Sequence, residues 1–267
     1  MEQQNNDIDI DKVHHLCLEM AKEMHKILQK NDIPYFMIGG TLLGSVRHKG
    51  FIPWDDDMDF GIPRKHYDKA ISVLQKELPY PLKCISYRES MICLHESCKI
   101  MNMSTRIREN NECSNDDKGV FIDLFPLDFS DGKTGFFSNF ALIKTFVRLQ
   151  NYRFSYKEKQ NFGKGLLSIF IKLVFLPLNY KTIPHIIEST LIQKKGNYIM
   201  NYAGFWGMRE IVPAKVFENP KLMPFEGTEF YGIKDADEYL KHLYGDYMKL
   251  PPENKRHTHL TEIEFLK

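Results

Sequence analysis

The sequence predicts an α/β protein of the α+β kind, with a helical insertion and a C-terminal cap, and three observations carry that prediction. The chain has 267 residues, 43% hydrophobic and 13% aromatic, enough apolar surface for one large core or two small ones and too much for a disordered chain. Its first half alternates helical and strand-like hydrophobic patterns. From about Ala141 to Met200 the pattern becomes helical and studded with Lys and Arg, and a final section is rich in Gly, Pro and Tyr. These changes of character divide the chain into a core over 1–140, a basic apolar helical insertion over 141–200 and a C-terminal cap over 201–267.

The first element is an amphipathic helix from Asp11, in which Val13, Leu16, Cys17, Met20, Met24, Ile27 and Leu28 recur at helical spacing until Asn31-Asp32. A short apolar run, Tyr35 to Ile38, then meets Gly39-Gly40-Thr41. The glycines break the strand and Thr41 is placed to N-cap the helix TLLGSVR. After the irregular HKGFIPW comes DDDMDFGI, where Asp55, Asp57 and Asp59 alternate with Asp56, Met58 and Phe60, the period of a strand that presents three carboxylates on one face. A second helix is expected from Arg64 to Leu78 on the stripe Tyr67, Ile71 and Leu74. Strand-like runs follow at 92–101, 105–108 and 120–125.

Four aspartates within five residues repel one another, and a divalent cation is the natural compensation. Two parallel carboxylates on a strand, Asp57 and Asp59, hold Mg²⁺ while leaving coordination positions for water and phosphate oxygens; Mn²⁺ is the alternative ion. Upstream, Gly39-Gly40-Thr41 lets the backbone approach a ligand closely and offers N–H groups at a helix start, the geometry that accepts a phosphate. Arg47, His48 and Lys49 lie between these elements, either to neutralise further phosphate oxygens or as an ordinary surface loop. Asp123 interrupts the apolar strand Val120 to Phe125, where a buried carboxylate is costly without a partner. It either bonds a nearby backbone N–H or joins Asp57 and Asp59 as a shared metal ligand or as the base for an incoming hydroxyl.

Other function classes recede on composition. Lys plus Arg number 36 against 35 Asp plus Glu, a net charge of +1, so no nucleic-acid partner is expected. The five cysteines (Cys17, Cys84, Cys93, Cys98, Cys113) contain no CxxC pair and read as reduced thiols of a cytoplasmic protein. The N-terminus, MEQQNNDIDIDK, lacks the basic start and apolar stretch of a secretory signal. The most apolar run, GLLSIFIKLVFLPL at 165–178, is shorter than the roughly 20 residues of a spanning helix and is interrupted by Lys172 and Pro177.

The stretch GGTLLGSVRHKGFIPWDDDMDFGIPR resembles the signature of the LicD family, to which the fukutin-related proteins are similar. Lys99-Ile100, FIDLFPLD around Asp123 and YGDYMKLPPENKRHTH at 244–259 resemble further blocks, so the likeness covers most of the chain outside about 130–200. It implies a nucleotidyltransferase-like mixed sheet flanked by helices, with the glycine turn and the carboxylate pair facing one cleft. It also implies transfer of a phospho-alcohol, in the best-known members phosphocholine from CDP-choline, onto a hydroxyl of a cell-surface glycan or its lipid-linked precursor. Carried over by position, it gives Asp57, Asp59 and Asp123 as metal and catalytic acids, with Asp55 in the same acidic run. Gly39, Gly40, Thr41, Arg47 and Lys49 fall on the substrate side. Lys99 matches a family lysine and reads as a phosphate ligand or an exposed strand lysine; Arg256 and His259 match a basic C-terminal pair or form a surface tail. If the alcohol is choline, its quaternary ammonium needs an aromatic face, for which Trp54, Tyr35 and Trp206 are candidates unless they are core residues. Two other readings remain: delivery of a nucleoside monophosphate to the acceptor, and an inactive nucleotide-binding scaffold.

The net charge hides a segregation. Residues 141–200 carry ten basic and two acidic side chains, leaving the remainder seven charges negative. The basic segment either meets an anionic membrane at its inner face, where a lipid-linked acceptor is presented, or packs as a helical hairpin with a solvated basic side.

Overall fold

The computed structural model describes residues 9–86, 97–109, 119–132, 195–256 and 258–266. Helix α1 (Ile10–Lys30) starts where the Asp9 carboxylate accepts the Lys12 N–H at 3.2 Å, and it buries Val13, Cys17, Met20, Ala21, Met24, Ile27 and Leu28. This is the stripe expected from the sequence, with Ala21 added and Leu16 half-exposed. Strand β1 (Phe36–Met37) leads into α2 (Gly39–Arg47), β2 (Asp59–Pro63) and α3 (Arg64–Glu77). Next come β3 (Leu82–Ile85), β4 (Cys98–Asn102), β5 (Thr105–Glu109) and β6 (Phe121–Ser130). After residues 133–194 the described chain resumes with β7 (Tyr198–Met200), β8 (Ile211–Pro213), the hairpin β9 (Pro220–Phe225) and β10 (Thr228–Ile233), α4 (Ala236–Tyr244) and β11 (Leu260–Phe265).

The main sheet is mixed and runs β1-β2-β6-β4-β3, and β7 and β8 continue it from the far end of β6. Among the described strands only β2 and β6 are parallel within it, and their register puts Asp59 opposite Asp123, which lies opposite Lys99 of β4. Three charged residues therefore form one row across the sheet. Helices α1 and α3 pack on each other and on the sheet, while α2 packs on β9 and α4. β11 pairs with β5, bringing the C-terminal strand back to the first half of the chain. The core is continuous, and Tyr35, Phe36, Phe60, Tyr67, Phe225 and Phe230 are fully buried within it.

Two local expectations are corrected. The strand expected from Asp55 begins only at Asp59, because Asp55 N–H closes a turn onto the Ile52 carbonyl at 2.9 Å and residues 55–58 run as extended loop. Thr41 does not cap α2. Gly39 adopts φ +53°, a conformation cheap only for glycine, so the chain turns from β1 directly into a helix whose cap position is Ile38, without a side-chain cap. Of the segment 141–200, only residues from Lys195 onward are described, and Tyr198–Met200 is a strand of the sheet; GLLSIFIKLVFLPL lies outside the described residues. Cys17, Cys84 and Cys98 are buried; Cys93 and Cys113 lie outside the described residues. Among the described residues no helix is long and apolar enough to cross a membrane.

Candidate active site

A cleft of about 810 Å³ opens where β2 and β6 begin side by side. Its floor is the row Asp59, Asp123 and Lys99, and Asp57 enters from the extended loop before β2. One carboxylate oxygen each from Asp57, Asp59 and Asp123 lies within 4.8 Å of the others. Asp57 and Asp59 are reachable from the cleft but surrounded by protein on their other sides. Burial first, and then repulsion between the carboxylates, pushes both well above the usual carboxylate range. Asp123, buried, accepts Lys99 Nζ at 2.8 and 2.6 Å and Ser97 Oγ at 2.9 Å. Lys99 is thus buried rather than exposed, its ammonium also 3.4 Å from the centre of the Phe121 ring.

An all-oxygen, mutually repelling set of carboxylates suits a hard divalent cation. Such an ion would replace by attraction what the three acids lack in counter-charge.

The other aspartates divide by direction. Asp55 lines the cleft and is pushed up to about 6, chiefly by burial and then by Asp56. Asp56 turns away and receives the backbone N–H groups of His259 and Leu260 at 2.7 and 2.6 Å, fastening the C-terminal strand under the site. The alternation read from the sequence therefore holds in direction although the strand itself starts late.

The glycine turn forms the wall above Asp59. A Cβ at Gly39 would lie 3.1 Å from Asp59 Oδ2, and one at Gly40 2.6 Å from Asp55 Oδ2. Thr41 is buried, and its hydroxyl accepts the Asp59 N–H at 2.7 Å, so it orients an acid instead of capping a helix. Gly40 and Thr41 sit in the first turn of α2, where N–H groups have no intrahelical acceptor. Arg47 also lines the cleft, donating through Nη1 to the Tyr247 carbonyl at 2.9 Å, and Lys249 and Lys255 are further basic lining residues.

Trp54 faces the cleft with the Arg256 guanidinium 4.9 Å from its ring centre, and His259 lies at the mouth with its side chain 73% exposed. Asp56, Asp57 and His259 form a second group whose ligand atoms lie within 4.8 Å. Lys49 is exposed at the end of α2, donates to the Val46 carbonyl and is not among the described residues that line the cleft. Tyr35, one of the aromatic candidates, is a core residue, its hydroxyl held by the ring of His25 and the Tyr231 N–H.

Several lining residues carry no sequence signal strong enough to single them out. Tyr239 and Tyr244 project from α4 against the glycine turn, where burial raises both phenols, and the Gly39 N–H points to Tyr239 Oη at 3.5 Å. Tyr244, Lys249 and Lys255 lie inside or at the end of YGDYMKLPPENK, so the block itself is visible in the sequence. Glu210 is a lone acid in GMRE, and only the fold brings it to the cleft.

A lipopolysaccharide cholinephosphotransferase LicD of Haemophilus influenzae is 28% identical over 255 residues, covering 91% of this chain and 93% of that protein. An uncharacterized protein of Rickettsia prowazekii is 42% identical over 81 residues, 30% of this chain and 29% of its own. The human ribitol 5-phosphate transferase FKRP is 43% identical over 44 residues, 16% of this chain and 9% of that protein. The model of the LicD/FKTN/FKRP nucleotidyltransferase domain matches residues 32–180, which include the glycine turn, the acidic loop and β6. With more than half of its length matched, the chain belongs to the LicD/FKTN/FKRP family.

Proposed function

We propose that the protein is a metal-dependent transferase that moves a phospho-alcohol, phosphocholine from CDP-choline, onto a hydroxyl of a cell-surface glycan or its lipid-linked precursor. The observation that carries the reading is the convergence of Asp57, Asp59 and Asp123 beside a glycine turn, in a cleft that Arg47, Lys249 and Lys255 also line. Carboxylates for a cation and positive side chains in one cleft suit a diphosphate. The long match to the Haemophilus relative supports the family, and the choline of this reading is taken from that relative's activity.

Asp57, Asp59 and Asp123 would hold Mg²⁺ or Mn²⁺, which supplies charge neutralisation at the phosphates as CMP leaves. The close-lying Gly39-Gly40 backbone admits a phosphate to the floor, and Arg47 with Lys249 and Lys255 draws the donor in. Thr41 fixes the backbone of Asp59, and Lys99 fixes the rotamer of Asp123 through both oxygens. Asp123 would also help take the proton of the acceptor hydroxyl, with Lys99 holding the receiving carboxylate in place. Contact of the 141–200 segment with an anionic membrane belongs to the same proposal and is supported by its basic composition.

The test is a screen of CDP-alcohols with purified protein and Mg²⁺, reading CMP release, followed by the mass added to the acceptor. Metal-dependent CMP release and the added mass of a phospho-alcohol are expected. A nucleoside monophosphate on the acceptor, or cleavage of none of the donors, overturns the reading.

A further inference from the structure

Glu210 is a buried acid that no step above uses. It ends the short turn Gly207–Glu210 and is 6% exposed, yet it lines the cleft. Its Oε1 accepts the Trp206 N–H at a long 3.3 Å, and among the described residues no ion pair to it is formed. A Cβ on Gly204 would lie 2.3 Å from the same oxygen, so the chain at 203–206 folds over the carboxylate only because that position has no side chain. Burial pushes Glu210 up to about 7, which leaves it ready to ionise against a cation near neutral pH.

Rings stand around this acid. Trp206 meets Tyr244 edge to face at 5.1 Å and Phe205 at 5.8 Å. All three line the cleft, with Phe205 89% and Trp206 39% exposed. The indole already accommodates one cation, the Arg209 guanidinium 5.8 Å from its ring centre. Ring faces attract a positive charge without needing N–H donors, and a carboxylate behind them adds full charge in a low dielectric. An alkylated ammonium, which has no N–H to donate, is the group this combination suits. A neutral polyol would instead need several paired donors and acceptors.

We propose that Phe205, Trp206, Tyr244 and Glu210 form the subsite that receives the alcohol of the donor and selects a quaternary-ammonium alcohol over a neutral polyol. The inference rests on the phospho-alcohol reading and adds the residues that make the choice.

Two readouts on the full chain test it. Titration with choline and with its uncharged isostere 3,3-dimethylbutan-1-ol reads recognition of the charge without any transfer. Competition between CDP-choline and CDP-glycerol with Mg²⁺ reads it in turnover. Choline should bind about tenfold or more tighter than the isostere, the scale of a desolvated cation–π contact. Glu210→Gln and Trp206→Ala should each lower the CDP-choline to CDP-glycerol ratio about tenfold, again on that scale. Phe205→Ala, at an exposed side chain, gives the same readout with a smaller shift if Glu210→Gln does not fold. Equal binding of choline and the isostere overturns the subsite, as does an unchanged donor ratio in folded variants. Cleavage of neither donor, with choline still preferred in the titration, overturns the transfer reading and supports the subsite.

Discussion

Strand β6 carries two aspartates five residues apart, and they meet different fates. Asp128, 1% exposed, is gripped by Arg64 through Nε and Nη2 at 2.7 Å each, a fork-to-carboxylate match between β6 and the start of α3. Asp123 also meets a cation, Lys99, but shares its surroundings with Asp57 and Asp59. At Asp128 charge is matched and the protein is closed around it. At Asp123 negative charge is in excess and a cleft stands open. The contrast separates a matched ion pair closed within the fold from an acidic cluster that faces a cleft.

Neutralising one acid at the cleft and one in the closed pair should have opposite effects. Asp57→Asn or Asp59→Asn should lower Mg²⁺-dependent CMP release by about 10³-fold or more, the scale of losing transition-state charge stabilisation. The same variants should raise the melting temperature of the metal-free protein, because each removes a buried charge repelled by its neighbours. Wild-type turnover in either variant would contradict the metal site. Asp128→Asn should do the reverse, costing about 3 kcal/mol in urea unfolding because the buried fork-to-carboxylate contact with Arg64 is lost, while the folded fraction keeps its turnover. A loss of turnover per folded molecule larger than the loss of stability would show that the Arg64–Asp128 pair is not confined to scaffolding.

The third prediction is smaller and concerns pH. Glu210 has an ordinary value near 4.5 and is raised to about 7 in the folded protein, so between these values the native state keeps a proton that the unfolded chain has lost. Stability of the metal-free protein should therefore fall as pH rises from about 4.5 through 7, with Glu210 contributing roughly 3 kcal/mol at most. Glu210→Gln should flatten the curve in that window, and an unchanged slope would contradict the burial of its charge.

Much of the catalytic face is legible in the sequence, and for physical reasons. Four adjacent acids cannot sit together uncompensated, a two-glycine turn marks close backbone approach, and an Asp inside an apolar strand demands a partner. Asp57 and Asp59 can therefore be singled out from the order of residues, and Asp123 joins them through the family resemblance. Thr41 reads differently in the sequence and in the fold. A hydroxyl at a helix start suits a cap, whereas the left-handed Gly39 moves the cap position three residues earlier, to Ile38, and releases Thr41 for the Asp59 N–H. Lys99 is ambiguous in the sequence because an exposed and a buried strand lysine look alike until the register is known; pairing of β4 with β6 places it opposite Asp123.

By itself, then, the sequence determined the helix of residues 10–30, the glycine turn, the acidic run with its alternating directions and the family, since each is written in contiguous residues whose spacing or charge has local consequences. Tertiary structure alone decided that Asp56 anchors the C-terminal strand and that Lys99 answers Asp123. It likewise decided that Tyr239, Tyr244 and Glu210, far beyond β6 in the chain, close the cleft. Those contacts depend on strand register and on chain return over long separations, and neither leaves a periodic mark in the sequence.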